Sequence, residues 1–250
     1  MKSLIITVAG MSSRFNKDTK EDVLKCLYFE DTPANSLLSI QVHKCFDLVD
    51  EIVVVGGFKF DNLETFIRQE MKDVNHKMKL VYNDHYHDYG SGYSLLKGIE
   101  VASDKADEII FLEGDLFFDT KSIESIIISP KDVISVNNEP ILSNKAVALY
   151  FDANNFPHYI YDTNHSCLVI NEPFTAIYNS GQMWKFKNPP RVREICQFLT
   201  PEQEKGTNLE IIQKYFGAYK NSQIDIVRVN LWYNCNTVAD YQEAIKALGV

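Results

Sequence analysis

Groups suited to binding phosphate are concentrated in a loop near the start of this chain of 250 residues. An apolar run over residues 4–8 ends at Ala9-Gly10, and a short polar turn follows, with Arg14 on its far side. A buried strand that stops at a glycine and is followed by small residues presents backbone N–H groups to a phosphate. The loop holds a single glycine, so it is neither the GxGxxG dinucleotide motif nor a Walker A loop. The residues predicted to bind a nucleotide here are Val8, Ala9, Gly10, Met11, Ser12 and Ser13.

Two cations accompany this loop, Arg14 and Lys25, and Lys25 stands directly before a second apolar run over residues 26–29. A reaction at a phosphate needs positive charge beside the phosphorus that is attacked and beside the leaving group, because negative charge develops there in the transition state. We therefore predict Arg14 and Lys25 as the catalytic cations. A tight turn on a solvated basic face, without any ligand, is the alternative interpretation of the same residues.

A second polar segment, residues 111–119, places carboxylates at the end of a predicted buried strand. Ligands of α/β proteins bind at the carboxyl ends of the strands, and Mg²⁺ takes carboxylate oxygens together with phosphates and water. Asp115 is the predicted Mg²⁺ ligand, with Glu113 and Asp119 as alternatives, and Asp119 is also suited to capping the helix that follows. A turn or cap carboxylate without a metal remains the other interpretation of Asp115.

A third segment, residues 83–95, follows another predicted strand and opens a helix. A helix N-terminus built of small residues lets a base lie against the backbone. His85 and His87 suggest a metal site, but no convincing third ligand accompanies them, and we predict no zinc. The predicted nucleotide-binding residues of this segment and of the acidic strand end are Asn83, Gly90, Ser91, Tyr93, Ser94 and Glu113.

An alternating scaffold must position these segments. The runs with the composition of buried parallel strands are residues 3–8, 51–55, 79–82 and 108–112. Helical spacing separates them over residues 37–46, 62–69 and 93–101, with Asp61 and Ser91 as predicted caps. This alternation predicts an α/β fold with a doubly wound, Rossmann-like and mainly parallel sheet.

The pattern changes after residue 119. Short β-like runs at residues 131–136, 146–151, 159–161 and 167–170 predict a β-rich insertion. Helices at residues 191–199 and 207–216, a strand at 223–230 and a helix at 238–248 complete the predicted chain. We therefore predict one domain over residues 1–250, with a β-rich region at about residues 131–190.

The amino-acid composition limits the classes of partner that this protein is expected to bind. With 34 acidic against 25 basic residues the formal net charge is −9, which argues against nucleic acid or an anionic membrane as the main partner. The five cysteines are scattered, without a CxxC pair, and predict neither a disulfide framework nor a zinc site. No apolar stretch approaches the ~18 residues of a membrane span, and the start of the chain lacks a signal-peptide pattern. The sequence thus predicts a cytoplasmic protein and indicates no oligomeric state.

The loop, Lys25 and Asp115 together resemble the nucleotidyltransferase superfamily, whose signature is AGxGxR[FLM] followed by a lysine. Ser12 stands where that signature has its second glycine, and an added side chain is expected to crowd the phosphates. The resemblance implies a nucleotide-diphospho-sugar-transferase-like fold and Asp115 as a metal ligand. It also implies that Asn236, in a motif of the form [DN]TxxDy, is the second Mg²⁺ ligand, although Asn236 or Thr237 can equally serve as a helix N-cap.

Two further segments indicate which members of the superfamily this chain resembles. Residues 83–95 are similar to those of bacterial phosphocholine and phosphonate cytidylyltransferases, and Gly90-Ser91-Gly92 also resembles a turn of sugar-1-phosphate nucleotidyltransferases that meets the base. Asn-Ser-Gly at residues 179–181 resembles the acceptor-binding segment of sugar-nucleotide enzymes, and Glu172 resembles the Glu of their Glu-Lys-Pro motif, without the Lys. The acceptor-binding residues implied by this resemblance are Tyr178, Asn179, Gly181 and Glu172.

The resemblance implies an Mg²⁺-dependent enzyme that transfers a nucleotidyl group from an NTP, CTP by preference, to a small phosphomonoester or phosphonate and releases pyrophosphate. It further implies a role in the synthesis of cell-surface polysaccharide. A sugar-1-phosphate nucleotidyltransferase that uses UTP or dTTP is the nearest alternative. A non-catalytic nucleotide-binding module of the same fold is the second.

Overall fold

The computed structural model describes residues 1–142, 147–160 and 168–249. Its first half has the alternation that the sequence predicts. The strands are β1 (Lys2–Thr7), β2 (Glu51–Gly56), β3 (Met78–Tyr82) and β4 (Glu108–Glu113), and the helices are α1 (Leu37–Cys45), α2 (Phe60–Glu70) and α3 (Ser91–Val101). β1 pairs in parallel with both β2 and β4, and β2 pairs in parallel with β3. The doubly wound parallel core is therefore confirmed.

The second half adds mainly antiparallel strands to this core. Its strands are β5 (Leu116–Phe118), β6 (Val133–Asn137), β7 (Ala148–Asp152), β8 (Pro157–Ile160), β9 (Phe174–Phe186), β10 (Asp225–Arg228) and β11 (Trp232–Asn234). Its helices are α4 (Thr120–Ile128), α5 (Pro189–Gln197), α6 (Pro201–Glu204), α7 (Leu209–Phe216) and α8 (Val238–Leu248). Within the described ranges, nine strands form one sheet whose main path runs β10-β6-β9-β4-β1-β2-β3, while β5 and β11 form a separate pair.

The sheet separates two hydrophobic cores because successive side chains of a strand point to opposite faces. Leu4 and Ile6 of β1 pack with α1, α2, α4 and α8, whereas Ile5 packs on the other face with α3, α5 and α7. Strands covered on both faces carry continuous apolar runs, and β2 is buried along its whole length. β3 is only half-buried, contrary to its prediction as a buried strand, because it lies at the edge of the sheet.

β9 is the long strand that joins the parallel core to the β-rich part. Its second half pairs antiparallel with β4 and β6, and its first half pairs with β7. The Asn-Ser-Gly segment at residues 179–181 lies inside this strand and is buried. Of the predicted β-like run at residues 167–170, the described part, residues 168–170, forms no strand. Residues 146, 161 and 167 of the predicted runs lie outside the described residues.

Two of the three predicted helix caps are wrong. Asp61 lies inside the first turn of α2, whose cap is Lys59 in a left-handed conformation with φ 50°. Ser91 is the first residue of α3, and Gly90 is its cap. Asp119 caps α4 as predicted, since its side chain accepts the N–H of Ser122 at 2.9 Å.

The cysteines behave as small apolar residues. Cys26, Cys45, Cys196 and Cys235 are free and buried, and Cys167 lies outside the described residues. Burial raises the pKa of the Cys26, Cys45 and Cys196 thiols to about 12, which makes them poor nucleophiles at neutral pH. Nowhere in the described part of the chain does a helix have the length and apolar character that crossing a bilayer requires.

Candidate active site

A pocket of about 210 Å³ opens at the carboxyl ends of β1 and β4, next to the N-terminus of α3. Most residues predicted to bind a nucleotide line it, and they come from three separate segments of the chain. The predicted residues among its lining are Val8, Ala9, Gly10, Ser12, Lys25, Asn83, Gly90, Ser91, Ser94, Glu113 and Asp115. Thr7, Leu24, Cys26, Tyr86, Tyr89 and Gly114 complete the lining.

The loop after β1 leaves its backbone donors available. Val8 uses its N–H within the sheet, donating to the carbonyl of Val55 at 2.8 Å. From Ala9 to Ser13, no backbone N–H donates to another group in the part of the chain that the structure describes. A cluster of unpaired N–H groups beside a cavity is an anion-binding arrangement. The loop therefore has the donors that a triphosphate requires.

Ser12, which stands where the superfamily signature has its second glycine, has a left-handed backbone conformation. Its φ is +56°, in the left-handed region that disfavours residues with a side chain. The Ser12 hydroxyl accepts the backbone N–H of Lys25 at 3.1 Å. This hydrogen bond ties the Ser12 side chain to the segment that carries Lys25 and offsets part of the conformational cost.

Lys25 is held beside Asp115 although 90 positions separate them in the sequence. Its ammonium group donates to Asp115 Oδ2 at 2.9 Å and to the carbonyl of Cys235 at 3.1 Å. Each side chain of the pair is 20% exposed, so the pair faces the pocket from a largely buried position. Arg14, the other predicted cation, has an exposed side chain outside the pocket lining.

Asp115 lies in a tight turn between β4 and β5. Gly114 must be a glycine here, because a Cβ atom would lie 2.4 Å from Val8 Cγ1 and 2.5 Å from the carbonyl oxygen of Thr7. The buried Gln41 of α1 spans this turn, donating from Nε2 to the carbonyls of Glu113 at 3.1 Å and Leu116 at 2.8 Å. Sequence reasoning missed Gln41, since nothing in its neighbourhood along the chain indicates this contact.

The acidic residues at this strand end have different roles. Asp115 Oδ1 is buried without a hydrogen-bond partner among the described residues, so a carboxylate oxygen is left open toward a cation. Both oxygens of Asp119 are engaged, accepting from the N–H and hydroxyl of Ser122 and from the N–H of Leu231. Of the two, Asp115 fits an Mg²⁺ ligand and Asp119 serves as a helix cap.

Glu113 lies on the wall of the same pocket. Burial, and after it the negative charge of Asp115, raise the pKa of its carboxyl to about 8, whereas the hydrogen bond from Asn208 opposes the rise. That bond runs from Asn208 Nδ2 to Glu113 Oε1 at 2.7 Å. Asn208, which caps α7, is a further site residue that sequence reasoning missed.

Asn236 follows a residue that is tied directly to the acidic turn. The N–H of Cys235 donates to the carbonyl of Asp115 at 2.8 Å, and its carbonyl accepts from Lys25. Asn236 donates from its backbone to Asp240 at 2.9 Å and from its side chain to Asn234 at 2.8 Å. Thr237, and not Asn236, is the N-cap of α8.

The N-terminus of α3 is packed differently from its prediction. The N–H groups of Gly90 and Gly92 donate to the carbonyls of Lys205 and Gly206, at 2.9 and 3.1 Å. A Cβ atom on Gly90 would lie 2.3 Å from the Gly206 oxygen. The small residues of this turn are therefore required by the loop before α7, which also accepts the N–H groups of Gly90 and Gly92.

Polar side chains of the same segment are also engaged within the protein. Asn83 donates to Ser94 Oγ and accepts the N–H of His85, both at 2.8 Å. Tyr93 lies outside the pocket lining, packed edge-on against His85 and Tyr89. The aromatic residues that do line the pocket are Tyr86 and Tyr89.

The structure does not bring the predicted acceptor-binding residues to the pocket wall. Asn179 is buried and donates to the Pro140 carbonyl at 3.4 Å, while Gly181 accepts from the Trp232 indole at 2.9 Å. Glu172 accepts from the Tyr150 hydroxyl at 2.6 Å, and Tyr178 packs edge-on against Phe151. In the described ranges no three His, Cys, Asp or Glu residues are grouped as a metal site.

Comparisons with known proteins identify the fold. A family model described as a domain of unknown function (DUF6564) matches residues 21–248. No curated protein matches the sequence. Similar solved structures include the inositol-1-phosphate CTP transferase from T. maritima, with a TM-score of 0.72, 16% identity and coverage of 98% of this chain and 96% of that chain.

Two further structures have the same fold. A putative glucose-1-phosphate thymidylyltransferase from Bacillus anthracis matches with a TM-score of 0.72 and 13% identity, covering 99% of this chain and 95% of that one. The CTP:phosphocholine cytidylyltransferase from Streptococcus pneumoniae matches with a TM-score of 0.63 and 14% identity, covering 99% of both chains. The nucleotide-diphospho-sugar-transferase fold expected from the sequence is confirmed.

Proposed function

This chain belongs to the family of the domain of unknown function DUF6564, and we propose that it is an Mg²⁺-dependent nucleotidyltransferase. It transfers a nucleotidyl group from an NTP, CTP by preference, to a small phosphomonoester or phosphonate and releases pyrophosphate. The observation that carries this proposal is the Lys25–Asp115 pair, which faces the same pocket as the loop with unpaired N–H groups.

The reaction requires no covalent enzyme intermediate. An oxygen of the acceptor phosphate forms a bond to the α-phosphorus, the bond from that phosphorus to the bridging oxygen breaks, and pyrophosphate leaves with the electron pair. The acceptor oxygen is already ionised, so no proton has to be removed. Catalysis is then positioning and charge stabilisation.

The residues of this chain divide that work. The N–H groups from Ala9 to Ser13 bind the triphosphate, and the Lys25 ammonium, held in place by Asp115 and Cys235, offsets charge at the α-phosphate. The unpartnered Oδ1 of Asp115 and the carbonyl oxygen of Asn236 would hold Mg²⁺. Mg²⁺ bound there would supply positive charge to the phosphates. Arg14, on the exposed side of the loop, would meet the leaving pyrophosphate.

The preference for CTP rests on the resemblance of residues 83–95 to cytidylyltransferases, and similar structures described as CTP-using enzymes support it. A sugar-1-phosphate nucleotidyltransferase that uses UTP or dTTP is the second candidate. It is supported by the sequence resemblance of residues 179–181 to the acceptor-binding segment of sugar-nucleotide enzymes and by similarity to the thymidylyltransferase structure.

We further propose one domain over residues 1–250, with the acceptor bound in the β-rich region at about residues 131–190. The continuous sheet that β9 forms with both β4 and β7 supports the single domain. A cytoplasmic location is also proposed, and the buried free thiols among the described cysteines support it.

The test is pyrophosphate release with Mg²⁺ over a panel of NTPs and acceptors, among them phosphocholine, phosphonates and sugar 1-phosphates. CTP with a small phosphomonoester or phosphonate is expected to give the highest rate. Asp115→Asn should abolish release, whereas Asp104→Asn, at a fully exposed position outside the pocket lining, should not change it. Release only with UTP or dTTP and a sugar 1-phosphate would support the second candidate, and no release from any pair would indicate a non-catalytic nucleotide-binding module.

A further inference from the structure

Three amide side chains form a hydrogen-bonded row that ends at Asn236, the residue after Cys235, whose backbone contacts both Lys25 and Asp115. Asn236 donates from Nδ2 to Asn234 Oδ1 at 2.8 Å, and Asn234 donates from Nδ2 to Gln182 Oε1 at 3.0 Å. Both bonds run in the same direction, so the orientation of each amide depends on the next one in the row. Because the NH₂ group of Asn236 is held by Asn234, its carbonyl oxygen is directed away from the row.

The far end of the row is anchored in the sheet. Gln182 is only 7% exposed and has a left-handed backbone, with φ 57°. Its N–H donates to Ser180 Oγ at 3.2 Å, and the neighbouring Gly181 carbonyl accepts the Trp232 indole of β11 at 2.9 Å. A non-glycine residue keeps such a conformation only where its surroundings hold it, so Gln182 is a fixed support.

The near end is anchored to the acidic turn. Cys235 donates to the Asp115 carbonyl and accepts from Lys25, and the next N–H, that of Asn236, donates to Asp240 Oδ2 at 2.9 Å. The backbone N–H and the side-chain NH₂ of Asn236 are thus both engaged. The side-chain atom of Asn236 left for another ligand is its carbonyl oxygen, which is a suitable donor to a hard cation.

We propose that Asn234 and Gln182 are positioning residues that hold the carbonyl oxygen of Asn236 toward the Mg²⁺ site. This inference rests on the proposed function and extends it to residues outside the pocket lining. It also explains why an amide at position 236 suits this protein. A carboxylate at position 236 has no proton to donate to Asn234 Oδ1. The side-chain amides of Asn234 and Gln182 would both have to flip, exchanging their oxygen and nitrogen atoms, to accommodate it.

The experiment measures Mn²⁺ binding to the full-length protein by electron paramagnetic resonance, in the presence of CTP and without an acceptor. Outer residues that orient a metal ligand change metal affinity by about tenfold to a hundredfold. Asn234→Leu and Gln182→Leu are therefore expected to weaken Mn²⁺ binding by about tenfold or more. Gln182→Glu keeps an acceptor for Asn234, so Mn²⁺ affinity should be retained or increased.

Two further measurements separate positioning from a general loss of structure. The affinity for CTP in the presence of EDTA and the thermal midpoint should stay close to wild type in Gln182→Leu. Tyr233→Phe, which changes the residue between Asn234 and Trp232 without touching the row, should leave Mn²⁺ affinity unchanged. If Asn234→Leu fails to fold, the Gln182→Leu and Gln182→Glu pair decides the question.

The outcomes separate this inference from the proposed function. Mn²⁺ binding that is weakened by Asp115→Asn but is the same in wild type, Asn234→Leu and Gln182→Leu overturns the inference and leaves the metal site in place. Wild-type protein that binds no Mn²⁺ with CTP overturns the metal site and the inference together. Weaker binding in both Leu variants, with retention in Gln182→Glu, supports the inference.

Discussion

At the scale of single residues, Lys25 forms hydrogen bonds to three separate segments of the candidate site, which its sequence motif alone does not predict. Its backbone N–H holds the strained Ser12, and its ammonium group contacts both Asp115 and the residue before Asn236. Lys25 thus joins the loop after β1 to Asp115 and to Cys235, the residue before Asn236. Asp115 holds the ammonium group in place, and both side chains are partly exposed to the pocket, where a charged ligand can reach them.

We expect Lys25→Ala to raise the activation free energy by at least ~2 kcal/mol, which lowers kcat/KM about 30-fold, because the substitution removes a cation that stabilises the transition state. Steady-state pyrophosphate release with CTP and the best acceptor measures the loss. Lys20→Ala, at an exposed position of the same basic segment, serves as the matched control and should retain normal rates. Near-normal turnover in Lys25→Ala would contradict the assigned role.

At the scale of elements, the N-terminus of α3 and the loop before α7 form one unit. The loop carbonyls accept the N–H groups of Gly90 and Gly92, and the N–H of Asn208 donates to Ser91 Oγ at 3.1 Å. This contact positions Asn208 so that its side chain donates a hydrogen bond to Glu113 on the pocket wall. Glycine is therefore required at positions 90 and 92, at the start of α3, for a different reason than at position 10, in the loop after β1.

Alanine substitutions should separate these two reasons. In Gly90→Ala the new Cβ would lie 2.3 Å from the Gly206 oxygen, and overpacking of this kind costs about 1–3 kcal/mol of the free energy of unfolding. In Gly10→Ala the new Cβ meets no protein atom within 4 Å, so stability should be unchanged while the KM for the NTP rises. Urea unfolding and KM measurements on both variants test this. Equal loss of stability in the two variants would refute the distinction.

At the scale of the whole molecule, the site lies where the order of the strands reverses. The chain proceeds from β1 outward to β2 and β3 and then returns to the other side of β1 at β4, and the pocket opens at the carboxyl ends of β1 and β4. Such a switch point leaves a crevice that neither neighbouring connection covers. Burying Glu113 beside Asp115 at this position lowers the stability of the whole fold.

That stability should depend on pH through Glu113. Its carboxyl has an ordinary pKa of 4.5 in the unfolded chain, and burial together with Asp115 raises the pKa to about 8 in the folded protein. Between these values the folded protein binds more protons than the unfolded chain, so the contribution of Glu113 to stability falls as pH rises from about 4.5 to 8. Glu113→Gln removes this dependence and should stabilise the protein more at pH 8 than at pH 5, relative to wild type.

Urea unfolding of wild type and Glu113→Gln in metal-free buffer at several pH values from 5 to 8 measures this effect. Glu172→Gln, at an exposed position outside the pocket lining, is the control and should not reproduce it. A stability difference between Glu113→Gln and wild type that is constant over this range would contradict the raised pKa.

The sequence by itself determined the features that depend on near neighbours. Alternating strand and helix patterns predicted the parallel core, and a single glycine after an apolar run predicted the loop with unpaired donors, because both are set by periodicity and local sterics. The same local reasoning predicted that Asp119 caps α4. It erred in predicting Asp61 and Ser91 as helix caps, because Lys59 and Gly90 hold those positions, and Gly90 packs closely against the distant Gly206.

Only the tertiary structure decided which distant residues meet. Lys25 with Asp115, Asn208 with Glu113, Gln41 across the acidic turn, and the row from Asn236 to Gln182 join segments that no spacing along the chain relates. Such pairs arise from the order and register of the strands, which bring remote strand ends to one edge of the sheet. The physical reason is that hydrogen bonds and ion pairs act over a few ångströms in space, whatever the distance between their partners along the chain.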